Sequence, residues 1–136
     1  MPTIQELRTK ADELKKKEDF ENALPLFREI WDTEKSDWNG YYLAQCLRKT
    51  SNYSDARELH SFIRTNYPNF KPIQNEELWL DYSEKIKDWD NPDLLSDAES
   101  LLSRTNKYDK YTGSIFNKTV LSVVKHLIYN NSNSTA

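Results

Sequence analysis

The residues of this chain with the greatest chemical reactivity are one cysteine and two histidines. Cys46 lies between Ala44 and Leu47 in a segment with helical spacing, whereas a reactive thiolate needs a nearby cation or histidine and partial exposure to solvent. His60 and His126 are far apart in the sequence and lack the spacing of metal ligands. The pattern therefore predicts a structural cysteine, a packing role for His60 and a surface position for His126 near a helix C-terminus.

The carboxylates are numerous, but they form no catalytic or metal-binding motif. Asp88, Asp90 and Asp93 surround Trp89 and Pro92, and a calcium loop there would need further ligands and a glycine turn. The sequence also contains no glycine-rich phosphate loop, no nucleophile elbow and no Cys-x-x-Cys pair. We therefore expect a protein that is not an enzyme and that uses neither a cofactor nor a metal ion.

The composition favours a helical protein of one domain. The chain has 136 residues, of which 30% are charged and 12% aromatic, and it contains two glycines. A formal net charge of −3 provides no global basic field for nucleic acid. The single cysteine fits a reducing compartment, no apolar run approaches the ~20 residues needed to span a bilayer, and the N-terminus lacks a signal-peptide pattern. We therefore expect a cytoplasmic protein with no membrane contact.

Apolar residues with helical spacing predict seven helices along the chain. Thr3 and Glu6 form a capping box before the first helix, which should run to about Lys17. Asp19 begins the second helix, in which Pro25 should cause a local bend because it removes one backbone donor and crowds the preceding turn.

Short polar residues and prolines mark the later helix starts. Asp37 should cap a third helix over about 38–50, and Asn52 a fourth helix that ends before Tyr67. The remaining starts are expected at Asn75, at Pro92, and at Thr112 or Ser114. The last helix should carry Phe116, Val120, Val123, Val124 and Leu127 on one side, and residues 131–136 should form a disordered tail.

Six apolar positions recur at one constant interval along the chain, which indicates two copies of one helical hairpin. The pairs are Ala11 and Ala44, Leu14 and Leu47, Phe20 and Tyr53, Ala23 and Ala56, Leu26 and Leu59, and Ile30 and Ile63. A single hairpin has an apolar face that it cannot cover alone, and a second hairpin stacked on it covers that face. A fixed period in this range therefore predicts a stacked array.

The spacing of these residues resembles the tetratricopeptide repeat. The second copy reads YYLAQCLRKTSNYSDARELHSFIRTNYP, with Ala44, Leu47, Tyr53, Ala56 and Pro68 at the family positions. The first copy, LRTKADELKKKEDFENALPLFREIW, matches the family at Ala11, Leu14, Phe20, Ala23 and Phe27. The first copy departs at Lys35, where the closing proline is missing, and the second departs at His60, which replaces a large apolar residue.

The resemblance implies an all-α fold: a right-handed array of antiparallel helical hairpins with a C-terminal capping helix. We expect a single domain over residues 1–130, with repeats at about 4–37 and 37–70. A divergent third hairpin is expected at 74–105, and the capping helix at 112–130. The function that the resemblance implies is protein–protein interaction or scaffolding without a chemical step.

A second resemblance covers three segments, which read WNGYYLAQCLRK, PNFKPIQNEELWLDYSEKIK and YTGSIFNKTVLSVVKHL. Together they are similar to the N-terminal helical region of bacterial conflict or defence proteins, the TOTE systems. In those proteins helical repeats precede a nucleic-acid-related domain, and no such domain is visible in this sequence. The resemblance implies that the chain is the N-terminal part of a defence protein.

In tetratricopeptide arrays the first helix of each hairpin lines the concave face, and this predicts the residues that meet a partner. The candidates are Arg8, Lys15, Trp38, Tyr41, Tyr42, Gln45, Arg48, Lys49, Trp79 and Tyr82. Aromatic rings supply contact area at low entropy cost, and arginine and lysine bind carboxylates. We therefore expect a protein or peptide partner with apolar and acidic side chains. A structural alternative places half of these aromatic residues in the core and the cations in solvent.

The sequence also bears on three other binding modes. Some tetratricopeptide proteins hold a peptide's C-terminal carboxylate with lysine and asparagine, but Asp12 and Tyr42 replace two of the required asparagines, so no such clamp is expected. A nucleic-acid accessory module is one alternative, in which the aromatic rings stack on bases and the cations follow phosphates. Another is a homodimer formed through the apolar side of the last helix.

Overall fold

The computed structural model describes residues 1–134, with side chains described through Asn131. Every regular element in these residues is a helix, so the all-α prediction is confirmed. The α-helices are α1 (Ile4–Lys16), α2 (Phe20–Thr33), α3 (Asp37–Lys49), α4 (Tyr53–Asn66), α5 (Pro72–Asp81), α6 (Leu94–Ser103) and α7 (Gly113–Ser134), and a π-helix (Tyr82–Ile86) follows α5. The chain forms two compact units, Met1–Glu76 and Glu77–Ala136. No helix within residues 1–134 combines the length and the apolar composition needed to cross a membrane.

In the first unit, helices that are consecutive in the chain pack against each other. α1 contacts α2, α2 contacts α3, and α3 contacts α4. Ala11, Ala23, Ala44 and Ala56 are fully buried, since their small side chains allow helix backbones to approach closely. Larger apolar residues fill the rest of the interior: Leu7, Phe27, Ile30, Trp31, Leu43, Leu47, Leu59, Ile63 and Ile73.

The two hairpins of this unit have matching helix lengths and the same turn conformation. α1 and α3 each contain 13 residues, and α2 and α4 each contain 14 residues. In the two turns, Glu18 and Ser51 have positive φ, of 59° and 64°. The next amide in each turn donates at 2.8 Å to a carbonyl of the last helical turn, Leu14 in one hairpin and Leu47 in the other. This bond satisfies a carbonyl that has no partner within its own helix.

The helix N-termini show one agreement and two differences with the caps predicted from the sequence. Thr3 caps α1, as predicted. Ser36 caps α3 in place of Asp37, because Ser36 has the extended backbone of a cap and its hydroxyl accepts an N–H of the first turn at 3.2 Å. Asn52 occupies the cap position of α4, but its side chain donates to Thr50 Oγ1 at 2.7 Å instead of accepting a helix amide.

Gly40 marks a close approach between helices of the first unit. A Cβ atom at this position would lie 2.9 Å from Ile63 Cδ1 and 3.0 Å from Trp31 Cζ3. Both neighbours are buried, so neither can move into solvent. A glycine within α3 therefore allows α2 and α4 to pack closely against this helix.

In the second unit, α6 and α7 pack against each other and against the π-helix. The buried core of this unit is Ile86, Leu94, Ala98, Leu101 and Ile115. α5 begins at Pro72 rather than at the predicted Asn75, because proline is favoured at the first helical position. In the π-helix that follows, the Lys87 amide donates to the Tyr82 carbonyl five residues earlier, at 2.8 Å.

The last helix differs from its prediction in length and in the side that it buries. α7 extends to Ser134, beyond the predicted end at residue 130, and the final two residues of the predicted tail lie outside the described residues. Its buried side contains Ile115, Thr119, Ser122 and His126. Of the predicted apolar side, Val120, Val124 and Leu127 are exposed, whereas Val123 packs against the core of this unit and Phe116 is half-buried. The predicted side therefore agrees only in part with the side that packs on α6 and the π-helix.

His126 is 6% exposed, so its predicted surface position is wrong. Its Nδ1–H donates to the Trp89 carbonyl at 2.8 Å, and its Nε2 accepts from the Asn130 side-chain amide at 3.0 Å. Both ring nitrogens have partners, which allows the imidazole to be buried.

Candidate functional site

A cavity of about 350 Å³ in the first unit brings together four of the predicted partner-binding residues. Its lining residues are Arg8, Asp12, Lys15, Phe27, Ile30, Trp38, Asn39 and Tyr42. Three come from α1 at spacings of three, four and seven residues, and three come from α3, where Trp38 and Asn39 lie four and three residues before Tyr42. These spacings place side chains on one helix face. Phe27 and Ile30 of α2 are almost fully buried and form an apolar floor. We call this space the α1–α3 cavity.

A buried asparagine fixes the polar wall of the α1–α3 cavity. Asn39, in the first turn of α3, accepts from Arg8 Nη2 at 2.9 Å through its Oδ1. Its Nδ2 donates to the Glu34 carbonyl at 2.8 Å. These two bonds position Arg8, whose guanidinium carries further N–H donors that suit a carboxylate. Asp12 lies one helical turn from Arg8 in the same lining, so the wall contains both signs of charge.

The aromatic wall of the cavity is a cluster of rings around Trp38, which is 48% exposed. The centroid of the Trp38 ring lies 5.5 Å from Tyr41, 5.8 Å from Tyr42 and 5.0 Å from Phe70. The contacts with Tyr41 and Phe70 are edge-to-face, a favourable geometry for aromatic pairs. The cluster therefore holds an exposed indole in a defined position.

Lys15 adds a positive charge beside the aromatic wall. Its Nζ lies 4.7 Å from the centroid of the Tyr42 ring, within the range of a cation–π interaction. The Tyr42 ring in turn lies 6.3 Å from the ring of buried Phe27. The Lys15 ammonium group, the Tyr42 ring and the buried Phe27 ring thus contact one another in order from the cavity edge to the interior.

Four further candidates lie on α3 but do not line the cavity, and three of them, Tyr41, Gln45 and Lys49, are at least partly exposed. Burial raises the pKa of the Tyr41 hydroxyl, and the Glu76 carboxylate adds to this effect, so the hydroxyl stays protonated at neutral pH. Gln45 is half-buried. Lys49 is exposed, with its Nζ 5.6 Å from the centroid of the Phe20 ring.

Arg48 lies inside the first unit and not on its surface. Its side chain is 7% exposed and forms a bidentate ion pair with Glu76, with Nε to Oε2 at 2.6 Å and Nη2 to Oε1 at 3.0 Å. Burial raises the pKa of Glu76, and the hydrogen bonds from Arg48 oppose this increase. The prediction that Arg48 meets a partner on the groove surface is therefore replaced by a structural role, because its charge is already neutralised within the fold.

Trp79 and Tyr82 belong to the second unit. Their ring centroids are 5.9 Å apart in an edge-to-face contact, and Lys118 Nζ lies 5.6 Å from the Trp79 ring. Both side chains are partly buried against the core of that unit. The α1–α3 cavity is lined by residues of the first unit alone.

The sequence did not identify three residues that position the side chains of the candidates. Asn39 orients Arg8, Phe70 completes the aromatic cluster, and Glu76 neutralises Arg48. For Phe70, the only signal in the sequence is weak: it is an apolar residue that follows the Tyr67-Pro68 turn. No local pattern identifies Asn39 or Glu76, because their partners lie 31 and 28 residues away in the sequence.

The reactive residues of the chain are buried. Cys46 is 1% exposed, and its thiol donates to the Phe20 carbonyl at 3.2 Å. Burial raises the pKa of the thiol to about 11, so it is protonated at neutral pH, whereas thiol chemistry needs the thiolate. His60 is buried at the position equivalent to Phe27. Within the described residues, no group of three or more His, Cys, Asp or Glu side chains is placed to hold a metal ion.

In comparisons with known proteins, no family model, no curated protein and no solved structure matches the chain.

Proposed function

We propose that the chain is a tetratricopeptide-like interaction module that binds a partner peptide in the α1–α3 cavity, without a chemical step. The single observation that carries the proposal is an exposed indole fixed beside two cations over an apolar floor. Aromatic and arginine side chains of this kind dominate binding energy at protein interfaces.

The family assignment within this proposal rests on the repeat. The two hairpins have matching helix lengths and the same left-handed backbone conformation in their turns. Both features fit a unit that is duplicated at the interval separating Ala11 from Ala44. The right-handed array of stacked hairpins and the place of the chain at the N-terminus of a bacterial defence protein belong to the proposal. The role of α7 as a capping helix stays a prediction.

The chemistry of the cavity suggests what the peptide contains. The cavity, with a volume of about 350 Å³, has room for a large apolar side chain of the peptide and for parts of the adjacent peptide residues. The apolar side chain would pack against the floor of Phe27 and Ile30. Arg8 and Lys15 at the edge favour a carboxylate next to that side chain, whereas Asp12 repels one close to it. We therefore propose an acidic peptide with one aromatic or leucine anchor.

A selection from a random peptide library against the full chain tests this proposal. We expect enrichment of peptides that combine a large apolar residue with aspartate or glutamate. In fluorescence anisotropy, Trp38→Ala and Tyr42→Ala should each weaken the enriched peptides about tenfold or more, since truncation of a central aromatic contact has this effect. Lys15→Glu should weaken acidic peptides selectively.

Phe62→Ala is the matched control, because Phe62 is an exposed aromatic residue on α4 that does not line this cavity. It should leave the affinity unchanged, and circular dichroism should show intact helices in every variant. Unfolding of both Trp38→Ala and Tyr42→Ala would show that these rings belong to the core and would overturn the proposal. Binding of a single-stranded oligonucleotide that falls steeply with salt would instead assign the aromatic residues to nucleic acid.

A further inference from the structure

α7 has an unusual distribution of polar and apolar residues. Its buried side carries the polar residues Thr119, Ser122 and His126 next to Ile115. Its opposite side carries five exposed aliphatic residues: Val120 (40% exposed), Leu121 (53%), Val124 (44%), Leu127 (45%) and Ile128 (62%). We call these five residues the outer face of α7. A helix on the surface of a globular protein normally presents polar residues on this side.

The outer face is one contiguous patch. Its residues follow the spacing of three and four that places side chains on one side of a helix. Five side chains with this exposure present an apolar area on the order of 500 Å², at the upper end of patches on typical monomers. Patches at this end of the range are often functional contact surfaces.

The residues of the outer face are symmetric about Val124. Leu121 and Leu127 lie three residues to either side of it. Val120 and Ile128 lie four residues to either side, and Asn117 and Asn131 lie seven residues away. An antiparallel helix pair with a twofold axis at Val124 would therefore place leucine opposite leucine, β-branched residue opposite β-branched residue, and amide opposite amide. A surface that matches itself in this way is what a twofold dimer requires.

The charged residues of α7 lie outside its outer face. The helix contains no aspartate or glutamate, and its lysines are Lys118 and Lys125. In the antiparallel pair centred on Val124, Lys118 lies opposite Asn130 and Lys125 lies opposite Val123, so neither lysine is paired with a residue of the outer face.

We propose that the outer face of α7 is the interface of a symmetric dimer, in which the α7 helices of two copies pack antiparallel about Val124. The two outer faces together bury roughly 1,000 Å², the lower limit for a specific interface. The dimer is therefore expected to dissociate in the micromolar range and to exchange freely with the monomer. This interface is independent of the α1–α3 cavity, whose lining residues lie in the first unit.

The oligomeric state of the full chain tests this proposal. Light scattering and sedimentation over a range of concentrations should show a dimer that dissociates on dilution. Leu127→Glu and Val124→Glu should raise the dissociation constant about tenfold or more, because each buries a charge without a partner in the interface. The matched control is Leu95→Glu on α6, since Leu95 is 47% exposed and lies outside the outer face.

Disulfide crosslinking tests the direction and the register. Val124→Cys should form a covalent dimer on mild oxidation, whereas Leu95→Cys should not. Leu121→Cys alone and Leu127→Cys alone should stay uncrosslinked, while a mixture of the two variants should crosslink. Cys46 is buried and does not compete in this reaction.

Three results would overturn the dimer: a wild-type chain that stays monomeric at all concentrations, an equal loss of dimer in Leu95→Glu, or no crosslink in Val124→Cys. Strong crosslinking of Leu121→Cys with itself would show a parallel pair and would overturn the antiparallel arrangement. The mass measurements need no peptide ligand, so failure of the dimer is separate from failure of the proposed cavity.

Discussion

At the residue scale, the hairpin turns carry an unfavourable backbone conformation. Glu18 and Ser51 are the non-glycine residues with positive φ in the part of the chain that the structure describes. For an L-residue with a side chain this conformation costs about 1 kcal/mol or more, because Cβ approaches a carbonyl oxygen. Both residues occupy the helix-ending position where glycine is usual.

We predict that Glu18→Gly and Ser51→Gly each stabilise the protein. The free energy of unfolding should increase by about 0.5–1 kcal/mol, since relief of the strained conformation exceeds the added entropy of the unfolded chain. Urea denaturation followed by circular dichroism measures this change. Lys16→Gly, two residues earlier and within α1, should decrease the stability by a similar amount. Destabilisation by Glu18→Gly would contradict the argument.

At the element scale, the Arg48–Glu76 ion pair connects α3 to α5 within the first unit. The two side chains are 7% and 1% exposed, and two hydrogen bonds join them. A buried pair contributes little net stability over an apolar pair, but removal of one partner leaves an uncompensated charge. The pair therefore restricts which substitutions either helix accepts.

A double-mutant cycle tests the pair. Arg48→Met should lower the free energy of unfolding by about 3 kcal/mol or more. The double variant Arg48→Met/Glu76→Leu should lower the free energy of unfolding much less, since neither charge is then buried alone. Arg104→Met is the control, because the Arg104–Asp81 pair at 2.8 Å is half-exposed and should contribute about 1 kcal/mol or less. Additive losses in the cycle would contradict the coupling.

The same variant should show a defined pH dependence. Burial raises the pKa of Glu76 above its usual 4.5, and loss of Arg48 removes the main opposing effect. A raised folded-state pKa means that the folded state binds the proton more tightly, so stability is lost as pH rises through that pKa. The deficit of Arg48→Met relative to wild type should therefore be smaller below pH 4.5 than at neutral pH.

At the scale of the whole molecule, each of the two units contains its own buried core. Leu47 belongs to the core of the first unit and Leu101 to that of the second, and they are 2% and 1% exposed. Stability in proteins is distributed over such cooperative segments and not uniformly over the chain.

Hydrogen exchange of matched variants tests this division. Leu47→Ala and Leu101→Ala should each cost about 2–5 kcal/mol, as cavities in well-packed cores do. The loss of amide protection should be concentrated in the unit that carries the substitution. Equal loss over both units in each variant would show one cooperative unit instead. The thermal midpoint of each variant provides an independent measurement of the same cost.

The sequence by itself determined the helices and the position of their repeat. Apolar spacing, caps and prolines act within one or two helical turns, so they are readable locally, and Thr3 is an example. The sequence also placed Arg8, Lys15, Trp38 and Tyr42 on adjoining helix faces, and these residues share one cavity.

The tertiary structure alone decided which polar side chains are buried and which side of α7 packs. Arg48 is buried because Glu76 lies beside it, and His126 because the Trp89 carbonyl accepts a hydrogen bond from its Nδ1–H. On α7 three residues of the predicted apolar stripe, Val120, Val124 and Leu127, are exposed, since the contacts with α6 and the π-helix are made by another side of the helix. Local periodicity shows that a helix has an apolar side, but only the surrounding helices determine whether that side is buried within the chain.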